Sequence, residues 1–246
     1  MKRSIPASIL IGSILLLIFM LASVADASVY AGSRTYGRGY VHDQSTTQWD
    51  AVHATMEVNS GRVDQPDLGN NGFVGEVLWA ANQSWSGYIE CGYRRGWNGS
   101  NVLTAYWENH LPNGNDYLHR VTYVDIAPNE NDLFEMVHTT GTAWKYYVKG
   151  YPAKDVDGDY TADTTWGSSC QWAIAGLEGN CDLGALGSSG DHIGITGIQV
   201  SPVGGTWMYG PADFSHDGVT QLPGTTYTTH AGWTTQGHSV WNYRNN

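Results

Sequence analysis

An all-β fold, an antiparallel two-sheet sandwich, is what this sequence predicts, and three observations predict it. Helical periodicity is absent beyond residue 27. Short runs alternating apolar and polar residues recur between Gly, Asn, Asp and Pro punctuation, the pattern of half-buried strands joined by turns. The composition, with 31 Gly, 11 Trp and 15 Tyr against only 14% charged residues, suits closely spaced strands with aromatic faces rather than solvated helices.

Strands are expected at 52–58, 72–80, 85–93, 103–109, 117–126, 133–139, 144–148, 170–178 and 192–200. Asn98-Gly99 and Asn113-Gly114 are the strongest hairpin signals, since both residue types tolerate positive φ. Parity then assigns faces. In 88–93, Ile89, Cys91 and Tyr93 read as core, leaving Tyr88, Glu90 and Gly92 on the other surface. In 172–178, Ala173, Ala175 and Leu177 read as core, leaving Trp172, Ile174, Gly176 and Glu178 opposite. Two strands thus each place one carboxylate on a face of aromatic and small residues, as the concave binding face of a sandwich would.

The start of the chain is a secretory leader by pattern. Lys2 and Arg3 precede an apolar stretch at 9–21 that is short for a membrane span, and Ala25-Asp26-Ala27 offers a cleavage site before Ser28. The expectation is a signal peptide at 1–27, a single sandwich domain at 28–246, secretion, and no membrane association after cleavage. Losing Lys2, Arg3 and Asp26 leaves ten basic and 22 acidic residues, a formal charge of −12, which argues against nucleic acid as a partner. No linker, repeat or like-charge block divides the rest, and it is expected to be a monomer.

Of the three cysteines, Cys170 and Cys181 are a close pair that in an oxidising compartment would close a loop worth about 3 kcal/mol. Cys91 is left over and reads as a small core residue. Asp155, Asp157 and Asp159, with Asp163 beyond, gather oxygen ligands of the kind that hard cations take, so the loop reads either as a structural calcium site or as a solvated turn; no other cofactor is implied. The zinc-helix motif His-Glu-x-x-His, the Gly-x-Ser-x-Gly elbow, the phosphate loop and the dinucleotide fingerprint are all absent.

The order of segments Tyr88-Ile-Glu-Cys-Gly-Tyr93, Thr104-Ala-Tyr-Trp-Glu-Asn109, a strand from Leu133, then Cys170 to Glu178 resembles the glutamic peptidases. These include fungal acid peptidases with a Gln/Glu dyad and plant neprosin-type enzymes with two glutamates. Glu90 stands where the fungal enzymes carry Gln before a Thr-Gly pair, and Ala105-Tyr106-Trp107-Glu108 with Pro112 resembles their aromatic strand. Cys170 precedes Glu178 by eight residues where the fungal spacing is nine, so Glu178 takes the catalytic place only with a one-residue gap.

The resemblance implies a concanavalin A-like jelly roll and a Glu90/Glu178 dyad that hydrolyses peptide bonds in acid. One carboxylate would act as base on water while its protonated partner stabilises the oxyanion. Tyr88, Tyr106, Trp107 and Trp172 would line the cleft. Two other functions fit the same face: a non-catalytic lectin-like module whose aromatic rings stack on glycans, and a glycoside hydrolase using the same two glutamates.

Overall fold

The computed structural model describes residues 35–42, 48–63, 72–167, 169–179, 184–185, 193–209, 215–220, 227–234 and 237–244. Among the described residues eighteen strands are formed: β1 Thr35–His42, β2 Trp49–Glu57, β3 Arg62–Val63, β4 Val74–Ala81, β5 Tyr88–Trp97, β6 Ser100–His110, β7 Asp116–Arg120, β8 Asn131–Thr140 and β9 Ala143–Val148. They continue with β10 Tyr151–Pro152, β11 Thr161–Asp163, β12 Trp172–Gly179, β13 Gly184–Ala185, β14 Ile193–Pro202, β15 Met208–Tyr209, β16 Ser215–Thr220, β17 Tyr227–Thr234 and β18 Gly237–Arg244. No helix among the described residues is long and apolar enough to cross a membrane. The expected leader, 1–27, lies outside them.

Two antiparallel sheets carry the architecture. One runs β16-β1-β12-β4-β5-β6-β7 and the other β10-β9-β8-β2-β14-β18-β17, with β11 on β9 and β15 on β14. The sequence shows why these segments pair. In β9 the pattern Ala-Trp-Lys-Tyr-Tyr-Val buries every second residue, so Trp144, Tyr146 and Val148 enter the core while Lys145 and Tyr147 stay at the surface. The core forms between the sheets, where Tyr93 packs on Phe134 with ring centroids 6.3 Å apart and Trp107 stacks on Tyr146 at 4.6 Å. Strand β4 is buried along its whole length, which marks it as a central strand covered on both faces.

The parity reading holds: Ile89, Cys91, Tyr93, Ala173 and Ala175 are core. The reading of 117–126 as one strand does not, because β7 ends at Arg120 and Thr122 instead donates its N–H to the Lys154 carbonyl, drawing the chain off the sheet edge. Strands β16 to β18 carry no clean alternation in their Thr-, His- and Gly-rich sequences, and only pairing across the sheets organises them.

Cys170 is a buried free thiol in the structure, not half of a bridge; Cys181, its expected partner, lies outside the described residues. Burial pushes the Cys170 thiol well above its ordinary range. Cys91 is a small core residue, as expected.

Candidate active face

The face that matters is the side of β4, β5, β6 and β12 turned away from the second sheet. Strand register builds it row by row. One row reads Ile174, Trp79, Glu90, Glu108 across β12, β4, β5 and β6; the row two residues along one way reads Gly176, Val77, Gly92, Tyr106; the next reads Glu178, Gly75, Arg94, Thr104. In the other direction lies Trp172, Ala81, Tyr88, His110. Val77, Trp79 and Tyr106 form a buried apolar floor on this side, with Trp85, Tyr88 and Trp97 packed against it.

Three carboxylates therefore share the face, where the sequence reading counted two. Glu90 and Glu108 are direct cross-strand partners, so their Cα atoms are about 4.5 to 5.5 Å apart. Glu178 is two strands away and four residues further along, which places its Cα roughly 16 Å from that of Glu90. The residue sharing a row with Glu90 on β12 is Ile174, not a carboxylate.

Trp107 is the residue that the structure moves. It lies on the core side, stacked between His119 and Tyr146, and its Nε1–H is donated to the Ala153 carbonyl at 3.0 Å. The cause is a register shift. A two-residue turn at Asn98-Gly99 starts from the pair Trp97 and Ser100, and without irregularity would bring Trp107 opposite Glu90. A bulge between Arg95 and Trp97, with Gly96 at φ 101°, slips the pairing by one residue and brings Glu108 there instead. Both neighbours were legible: Glu108 shares parity with Tyr106, but nothing in the string of residues announces the bulge.

The face is dry. Glu90 is 3% exposed, Glu108 7% and Glu178 1%, so the carboxyl groups of this face form a buried polar cluster. Its cation is Arg94, 6% exposed, whose guanidinium lies 3.8 Å above the Phe73 ring and 5.1 Å from that of Trp97, while Nε–H is donated to the Gly96 carbonyl. Burial lowers the Arg94 pKa, opposed by Tyr106, Glu90, Glu178 and Glu108 around it. Gly75 puts no side chain between Arg94 and Glu178.

Tyr106 is the central polar group. Its hydroxyl is buried with no hydrogen-bond partner among the described residues, and burial, together with Glu90, Glu178 and Glu108, pushes the phenol well above its ordinary range while Arg94 pulls it back. Tyr88, Trp172, Trp85 and His110 are only partly buried and mark the end where the face meets solvent. Trp85, held at φ 57° in the β4–β5 turn, sits 6.1 Å from Trp172 and 6.3 Å from Tyr88, and Tyr88 stacks on His110 at 4.6 Å.

The acidic loop is organised as a turn. Asp155 Oδ1 accepts the N–H groups of Asp157 and Asp159, each at 2.9 Å, and Oδ2 lies 2.6 Å from His119 Nδ1. Among the described residues no group of three or more His, Cys, Asp or Glu is placed to hold a metal ion. In the calcium reading of Asp155, Asp157 and Asp159, the Asp155 oxygens are thus engaged, Oδ1 by the backbone and Oδ2 by His119.

Fold and face together define the class: a jelly-roll β-sandwich with a buried cluster of carboxyl groups on one outer face. A scytalido-glutamic peptidase bound to a peptide-based transition state analog has the same fold, with a TM-score of 0.55 over 85% of this chain and 98% of that one at 12% identity. SCP-B, a member of the eqolisin family of peptidases in complex with the tripeptide Ala-Ile-His, aligns with a TM-score of 0.52 over 86% and 98% of the two chains, also at 12% identity. No family model and no curated protein matches the chain.

Proposed function

We propose that this chain is an exported, acid-acting hydrolase of polypeptides that works with Glu90 and Glu108 as its carboxyl pair. The observation that carries the reading is their direct cross-strand pairing on a buried face, beside a Tyr106 hydroxyl with no hydrogen-bond partner among the described residues. Two carboxyls so close in a dry site are more stable sharing one proton than both ionised, and this supplies a base and an acid together. The fold shared with glutamic peptidases and the leader at 1–27 support the reading.

The chemistry balances as follows. The ionised carboxylate of the pair takes a proton from a water molecule as the water oxygen bonds to the peptide carbonyl carbon. The carbonyl electron pair moves onto its oxygen, which receives hydrogen bonds from the protonated partner and from Tyr106 Oη–H. Collapse breaks the C–N bond, and the proton gained from water passes to the departing amine. Glu178, across Gly75 from Arg94, holds the cation in place, a role different from that in the expected Glu90/Glu178 dyad. Substrate enters past Trp172, Tyr88 and Trp85, the partly exposed end next to the carboxyl pair.

Purified protein lacking the leader, assayed on denatured casein from pH 3 to 7, tests the proposal. Turnover is expected in acid, declining as pH rises and the shared proton is lost. Absence of cleavage at every pH by folded protein rejects hydrolysis of polypeptides, and saturable glycan binding lost in Trp172→Ala would assign the face to a lectin-like module instead.

A further inference from the structure

A second cleft opens at the sandwich rim, on the core side of β6 and β7 where they meet β11. It encloses about 340 Å³ and is lined by Asn109, Tyr117, His119, Asp159, Thr161 and Asp163, among others. None of these is on the carboxyl face, since Asn109 shares parity with Trp107 and Ala105 on the core side.

Several features make it a built site. Asn109 is 5% exposed, its amide donates to the Asp163 carbonyl at 3.0 Å, and its Oδ1 has no partner among the described residues. His119 is fixed on both sides: its ring lies 3.7 Å above Trp107 at an interplanar angle of 9°, and Nδ1 is held by Asp155. Tyr117, 47% exposed, presents a second ring on the same side of β7, two residues from His119.

The lining mixes donors and acceptors. Asp159 accepts, while the Thr161 and Tyr117 hydroxyls do both. A ligand that only donates, such as an ammonium group, would leave the donors of this lining unmet. A hydroxyl-rich ring with an apolar face satisfies both sets, and its C–H face packs on an aromatic plane. We infer that the rim cleft is a binding site for a neutral saccharide, separate from the carboxyl face.

Saturation-transfer NMR with methyl β-D-glucopyranoside, methyl α-D-mannopyranoside, methyl β-D-galactopyranoside and methyl N-acetyl-β-D-glucosaminide tests this on the protein without its leader. Saturation of at least one glycoside is expected, with affinity falling by about tenfold or more in Tyr117→Ala and in Asp159→Ala, whose side chains are at the surface. Binding is expected to survive Glu90→Gln, which separates the cleft from the carboxyl face. Transfer to none of the four, binding unchanged in both rim variants, or salt-sensitive binding of n-butylamine in place of any glycoside would each overturn the inference.

Discussion

Glu90 on β5 and Glu108 on β6 stand directly opposite each other on a buried face, neighbours across a strand pair although 18 residues apart in the chain. If they act as one catalytic unit, each single change to Gln should remove nearly all turnover, about a hundredfold or more, and the double variant should be little worse than either. Glu178→Gln should cost less, because Glu178 is displaced from the pair by two strands and four residues. Steady-state kinetics on an unfolded peptide substrate, with folding checked by circular dichroism, decides between the two pairings. Equal losses at Glu90 and Glu178 with an active Glu108→Gln would restore the original dyad.

Tyr106→Phe tests the oxyanion donor. Removing a hydroxyl that is buried without a partner among the described residues leaves folding intact or firmer, yet takes away a transition-state hydrogen bond, so kcat should fall by about tenfold or more with KM little changed. A fall in stability with unchanged kcat would count against the role.

Glu76 predicts the sign of one pH effect. It projects between the sheets beside Tyr93, whose hydroxyl is donated to the Glu57 carbonyl, and both carboxyl oxygens are buried without a donor in hydrogen-bonding geometry among the described residues. Burial pushes its pKa well above the usual range, Tyr93 opposing this and Glu57 adding to it. A raised carboxyl pKa means that its stability is fully present below the unfolded value of about 4.3 and is lost as pH rises toward the folded value. Glu76→Gln should therefore be more stable than the parent at pH 7, by about 1 to 3 kcal/mol, and close to it at pH 4. Urea denaturation at the two pH values measures the difference.

Asp155 works in the opposite direction. Against the upward push of its burial, His119 and the N–H groups of Asp159 and Asp157 hold its carboxyl below the usual range. Its stability is present above the unfolded pKa and lost as pH falls through the folded one. Asp155→Ala should cost about 2 kcal/mol at pH 7 and progressively less as pH drops below 4. Thermal melts of parent and variant across that range should converge in acid.

Gly92→Ala should prevent folding or cost about 3 kcal/mol or more, since the added methyl would sit 2.0 Å from the Glu76 carbonyl oxygen on β4. Melting of the variant against Gly114→Ala, where an added methyl meets nothing within 4 Å, separates the steric effect from a general loss of glycine.

The sequence by itself determined the sandwich, because period-two alternation in segments such as β2, β8 and β9 can be buried in only one way, and it determined which face of each strand carries Glu90 and Cys91, because parity is local. It also marked the Asn98-Gly99 turn, where both residues take positive φ. The tertiary structure alone decided which side chains meet. The bulge at Gly96 shifts β6 by one residue and exchanges Trp107 for Glu108 opposite Glu90, and the insertion of β12 beside β4 sets Glu178 four residues from the row of Glu90. Register and strand order join residues far apart in the chain, through backbone hydrogen bonds common to every residue type, so side-chain identities do not write them locally.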